Sequence, residues 1–231
     1  MPLTIAFDVY GTLIDTAGVV TALEGPAGGR AAEVARLWRD KQLEYSFRRG
    51  LMRLYGDGFS QCTREALDYA CLVHGVDLLP EERVRLLDGY RRLPALQDAA
   101  PALGRMAGTH RLYAFSNGLP QDVDELLRHA GLRGHFLDVV SVHEVGSYKP
   151  DPAVYRHFAT RSGTSPDGIW LVSGNPFDVI GARVAGWSAA WVRRSPGQVF
   201  DPWPVPPSLT VPGLVELADA LPRDGAEPKT S

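Results

Sequence analysis

The stretch Phe7-Asp8-Val9-Tyr10-Gly11-Thr12-Leu13 decides how this chain is read. Apolar Leu3, Ile5 and Phe7 run into an aspartate, and a glycine and a threonine then turn the chain away. A short apolar run bounded by turn residues predicts a buried strand. A carboxylate at the end of such a strand is costly unless something compensates it. The carboxyl ends of the strands in an open α/β sheet are also where ligands bind. Aspartate is equally an ordinary turn residue, so Asp8 taken alone divides evenly between capping a turn and serving a site.

The sequence on either side supplies the context. Residues 17–92 contain no convincing strand. Apolar positions Val34, Leu37, Trp38, Tyr45 and Met52 predict a long helix over 31–54, and further helices follow over 63–74 and from Pro80. From about residue 98 the pattern alternates between helices and short apolar strands. Leu112-Tyr113-Ala114-Phe115, Val139-Val140-Ser141, Ile169-Trp170-Leu171-Val172 and Ala189-Ala190-Trp191-Val192 are the strands. Such alternation predicts a parallel sheet with right-handed crossovers. The expected fold is a Rossmann-like, doubly wound α/β core, residues 1–16 and 93–222, with a helical cap, residues 17–92, inserted after the first strand. A Pro-rich connection spans 196–207, a last helix lies near 213–221, and the polar tail 223–231 is expected to be disordered.

Composition narrows the class of function. The 231 residues are 45% hydrophobic and 22% charged, as in ordinary globular proteins. A net charge of −3 gives no basic surface for nucleic acid or an anionic membrane. No apolar run approaches the roughly 18 residues that span a bilayer. The chain enters its first strand directly, without a signal segment, and Cys62 and Cys71 lack metal-ligand spacing. A cytoplasmic protein with reduced, buried cysteines is expected.

Three more predicted strands end in polar motifs. These are Ser116-Asn117-Gly118, then Tyr148-Lys149-Pro150-Asp151, and Ser173-Gly174-Asn175-Pro176-Phe177-Asp178. Each is also plain turn or helix-start chemistry. All four, however, open onto the same face of one parallel sheet. Their convergence makes Asp8 the centre of a site.

In that order the motifs resemble the haloacid dehalogenase superfamily, and specifically the L-2-haloacid dehalogenases. The resemblance covers about residues 3–220 and includes the cap segment Leu37-Trp38-Arg39-Asp40-Lys41-Gln42-Leu43-Glu44-Tyr45. Phosphatases of the superfamily carry an acidic residue two positions after the nucleophile and an acidic metal ligand five positions before the last motif's aspartate. Here those positions hold Tyr10 and Ser173. A hard dication wants several carboxylate oxygens, so the resemblance implies chemistry without a metal or other cofactor.

The implied reaction converts small L-2-haloalkanoic acids to D-2-hydroxy acids plus halide through an aspartyl ester on Asp8. The resemblance assigns Thr12, Lys149, Ser173, Asn175 and Asp178 to the catalytic set with Asp8. Lys149 would keep Asp8 ionised, and Asp178 would polarise the hydrolytic water. Tyr10, Ser116 and Asn117 would meet the substrate, and Tyr155 would support the substrate or Lys149. Arg39, Asn117 and the ring edge of Phe177 would receive the halide. Phe59 and Leu43 divide between pocket lining and ordinary cap core. The resemblance also implies a homodimer formed through cap helices. The competing readings are a hydrolase of the same fold acting on a phosphate ester or fluoroacetate, and a catalytically idle binding protein.

Overall fold

A computed structural model describes residues 2–221. The strands are β1 (Thr4–Phe7), β2 (Arg111–Ser116), β3 (Asp138–Ser141), β4 (Ile169–Ser173), β5 (Ser188–Val192) and β6 (Leu209–Val211). They form one parallel sheet in the order β3-β2-β1-β4-β5-β6. The helices are α1 (Val19–Ala27), α2 (Ala31–Met52), α3 (Phe59–His74), α4 (Pro80–Tyr90), α5 (Ala99–Met106), α6 (Pro120–His129), α7 (Pro152–Ser162), α8 (Pro176–Val184) and α9 (Leu214–Ala220). The predicted α/β class and the alternation after residue 98 are both present. The tail expected to be disordered, 223–231, lies outside the described residues.

Strand β1 is buried at all four positions, as is β4 at all five. A central parallel strand is covered on both faces, which is why these segments read as continuous apolar runs. One buried cluster gathers Ile5, Phe7, Leu112 and Val172 with residues of α5, α6 and the helices α1–α4. The other holds Ala6, Phe115, Tyr155, Phe158 and Trp187 on the opposite face.

Two elements depart from the sequence reading. Helix α1 was not foreseen, because Gly25 and Pro26 interrupt its pattern. Strand β6 was hidden behind the Pro-rich connection; it is a three-residue edge strand with an exposed centre, too short for a periodic signal.

The strand order reverses direction at β1, whose neighbours are β2 on one side and β4 on the other. Such a switch point opens a crevice beyond the strands' carboxyl ends. Phe7 pairs with Val172 and Ala114, so Asp8 and Ser173 emerge side by side into that crevice. The helical insertion leaves and rejoins the sheet next to it. Asp15 N donates to Pro94 O at 2.9 Å, Leu96 N donates to Leu13 O at 2.8 Å, and Ile14 bridges Ala95. Both connections to the insertion are therefore clipped together beside Asp8.

Candidate active site

The loop after β1 meets the loop after β4 at two glycines. Gly11 adopts φ +80°, which disfavours any other residue. A Cβ on Gly174 would stand 2.7 Å from Gly11 O, so only glycine permits the approach. That approach lets Gly174 N donate to Thr12 Oγ1 at 2.9 Å. Asn175 N likewise donates to Ser173 Oγ at 3.1 Å. Each hydroxyl, having accepted from the backbone, turns its own proton to Asp8.

Asp8 is 8% exposed, and its two oxygens differ. Oδ2 accepts from Thr12 Oγ1 at 2.8 Å, Asn175 Nδ2 at 2.7 Å and Ser173 Oγ at 3.3 Å. Oδ1 accepts only from Lys149 Nζ, at 3.3 Å, among the described residues. Lys149 is 1% exposed. It also donates to Asp178 Oδ2 and to Phe115 O, both at 2.8 Å, so all three ammonium protons are used. Its backbone N donates to Asn117 Oδ1 at 2.9 Å, which leaves the Asn117 amide nitrogen for the cavity. In the same motif, Asp151 caps α7 by accepting from Ala153 N. The Lys-Pro-Asp segment thus does both things its residue types allow.

Asp178 sits in the first turn of α8, which Pro176 opens, and is fully buried. Burial raises its carboxyl to about 6, against the opposing pull of Lys149. Its second oxygen accepts from Tyr155 OH at 2.8 Å. One residue therefore stands elsewhere than expected, and one choice is narrowed. Asp178, expected to polarise water, has both oxygens engaged and reaches Asp8 through Lys149. Tyr155, expected to support either the substrate or Lys149, is fully buried behind Asp178, and burial pushes its phenol well up. It braces the Lys149–Asp178 pair.

A cavity of about 20 Å³ lies in front of Asp8, lined by Tyr10, Arg39, Leu43, Phe59, Ser116, Asn117, Lys149, Asn175 and Phe177. Roughly 10–15 Å³ holds one water by this measure, so the space suits small molecules. Arg39, Leu43 and Phe59 reach it from α2 and α3, and helical spacing does put Arg39 on the inner face of α2. The guanidinium donates to Tyr10 O and to Gln42 Oε1, both at 3.4 Å. Phe177 packs edge-on against Phe47 of α2, with centroids 5.0 Å apart. Ser116 Oγ accepts from Gly118 N at 3.1 Å, so its proton is free to point outward.

Gln42 escaped the sequence reading. It is fully buried, its Oε1 accepts from Tyr90 OH at 2.8 Å, and its Nε2 has no partner among the described residues. The available signal was its i+3 spacing from Arg39. None of the six histidines lines the cavity. Among the described residues, no three His, Cys, Asp or Glu side chains gather where they could hold a metal ion.

Comparison with known proteins matches this arrangement. The family model for haloacid dehalogenase-like hydrolases matches residues 3–186. An (S)-2-haloacid dehalogenase of Pseudomonas sp. (strain YL) is 39% identical over 91% of this chain and 90% of its own length. The chain belongs to the L-2-haloacid dehalogenase family. A haloacetate dehalogenase of Moraxella sp. (strain B) is 38% identical over 90% of the chain and 92% of its own. The L-2-haloacid dehalogenase of Xanthobacter autotrophicus, solved with chloropropionic acid covalently bound, superposes with a TM-score of 0.89. It is 32% identical, over 95% of this chain and 98% of that one. An L-2-haloacid dehalogenase fold thus carries the motifs converging on Asp8.

Proposed function

We propose that this protein hydrolyses small L-2-haloalkanoic acids to D-2-hydroxy acids and halide, with Asp8 as nucleophile and no metal. The observation that carries the reading is the asymmetry of Asp8. Oδ1 takes a single long contact, from Lys149, whereas three donors hold Oδ2.

In the first step Oδ1 attacks C2 of the acid, and the carbon–halogen electron pair leaves with the halide. The product is an ester on Asp8, inverted at C2. Ser116 binds the substrate carboxylate. Arg39, which has donors to spare, receives the halide with the Asn117 amide and the edge of Phe177. In the second step water adds to the Asp8 carboxyl carbon, and the negative charge develops on Oδ2. Thr12, Ser173 and Asn175 are already aimed at that atom, which is how an oxyanion site lowers a barrier. Collapse breaks the bond to the enzyme's carbon, one water proton goes to the departing alkoxide, and the other is lost to solvent. The water oxygen stays on Asp8 and C2 is not inverted again. Splitting the displacement into two steps is the usual gain of a covalent intermediate.

Lys149 spends every proton on Asp8, Asp178 and Phe115, so it acts on Asp8 and not on substrate. Four donors around one carboxylate, one of them an ammonium, make a poor dication site. This supports metal-free turnover. Release of halide from L-2-chloropropionate, unchanged by EDTA and absent with the D form, is the expected result. Loss on chelation, or equal rates for both enantiomers, would refute the reading.

We place the protein in the cytoplasm, with Cys62 and Cys71 free and buried. No helix among the described residues is long and apolar enough to cross a membrane. We also read residues 17–92 as a cap through which two copies pair, since Leu51, Met52, Leu72 and Val73 stand exposed on α2 and α3. A monomer mass in light scattering would dismiss the pairing.

A further inference from the structure

The cavity around Asp8 has four apolar sides: Tyr10, Leu43, Phe59 and Phe177. Tyr10 and Phe59 also line a second, larger cleft of about 190 Å³. It lies between α3, α4 and the start of α6, and Thr63, Val84, Leu87 and Tyr90 continue its lining. The two shared rings stack with centroids 6.5 Å apart and planes 29° apart, and Tyr90 stacks on the far side of Tyr10 at 5.5 Å. An aromatic partition one ring thick separates the two spaces.

The charged groups at the cleft's edge are largely paired with one another. Arg64 bonds Asp57 at 2.9 Å, and Arg91 stands 3.7 Å from Asp122 and 3.9 Å from Asp88. Ser60 Oγ donates to Asp122 Oδ2 at 3.2 Å, which ties α3 to α6 across the same edge. The cleft therefore presents an apolar interior and a rim of satisfied charges.

We propose that this cleft binds the alkyl tail of 2-haloalkanoic acids longer than propionate, the tail reaching it past the Tyr10 and Phe59 rings. The proposal rests on the dehalogenase reading. With C2 before Asp8 Oδ1, the carboxylate on Ser116 and the halogen on Arg39 and Asn117, the remaining substituent meets the apolar sides. Phe177 is backed by Phe47, so that side is closed. The Tyr10–Phe59 partition has empty space behind it. A neutral tail suits the interior, and each methylene buried there is worth about fourfold in binding.

The test compares L-2-bromopropionate with L-2-bromohexanoate in wild type and in Val84→Trp. Val84 is 57% exposed, so a larger ring there can cover the cleft without displacing buried residues. Leu87→Phe, deeper in the cleft, is the second variant. Wild type is expected to turn over the hexanoate with kcat/KM no lower than for the propionate. Each variant should cut the hexanoate value tenfold or more and the propionate value less than twofold. A wild-type hexanoate value under one tenth of the propionate value would overturn the proposal. So would variants that affect both acids alike, or neither. Failure of wild type to release bromide from either acid would instead sink the dehalogenase reading.

Discussion

The two walls of the cavity are built in opposite ways. On the core side, Asp8, Thr12, Lys149, Ser173, Asn175 and Asp178 come from strand ends of one sheet and the turns that follow them. Their contacts include bonds of 2.7 and 2.8 Å, and every Lys149 proton is assigned. On the cap side, Arg39 makes two contacts of 3.4 Å, Gln42 keeps an unpartnered Nε2, and the rest is aromatic or aliphatic surface. A fully satisfied buried network is rigid and costs no reorganisation when charge moves. A wall with spare donors and apolar faces can adapt to what is bound. On the reading proposed above, the difference gives the chemistry to the core wall and the choice of substrate to the wall built from α2 and α3.

The sharpest way to break that division is Asn175→Ala. Removing one donor from Oδ2 should lower kcat by about 10²–10³-fold. The hydrolytic step should slow most, so intact-protein mass spectrometry during turnover should show the carboxyalkyl ester adduct on Asp8. A fall in KM alone, or no adduct, would detach Oδ2 from the oxyanion role. Gln42→Leu tests the other wall and should act more weakly. It removes the acceptor that Arg39 and Tyr90 share, and a loss of about tenfold or less in kcat/KM is expected, the net worth of one ordinary hydrogen bond. Chloride, the poorer leaving group, should suffer more than bromide. Equal losses would show that Gln42 does not work through the halide site.

The smallest expected effect concerns pH and stability. The Asp178 carboxyl is raised to about 6, above the usual value near 3.9. Between those values the folded protein holds a proton that the unfolded chain has given up. Its contribution to stability is therefore full below about pH 4 and is lost as pH rises through about 6. The stability difference between wild type and Asp178→Asn, from urea unfolding at several pH values, should fall across that window and level off above it. A difference that stays flat from pH 4 to 7 would show that Asp178 is not the buried group in question.

Much of the core wall was legible one residue at a time. Asp8, Ser116, Ser173 and Asn175 end or directly follow apolar strands, Lys149 comes eight residues after β3, and a strand end in a parallel sheet has only one place to open. Tyr10 and Ser173 became informative only through the resemblance, as residues standing where the superfamily's phosphatases carry carboxylates. The cap was harder. Arg39 sits among Arg36, Lys41, Arg48 and Arg49, so position alone favours a solvated arginine, and only the match to the cap segment turns it inward. Gln42 lies in the cap segment that carries the resemblance, but nothing along the sequence gives it a role.

What the chain determines by itself is the alternation of strands and helices and the chemical type of each strand end, because both depend on neighbours along the sequence. Only the tertiary structure decides which oxygen of Asp8 is held and which is open, since that depends on two loops meeting at Gly11 and Gly174. It likewise sets Asp178 behind Lys149 and Tyr155 behind Asp178, and lays Tyr10 and Phe59 between two cavities. Those are relations between segments far apart in the sequence, fixed by strand register and helix packing, and no local pattern encodes them.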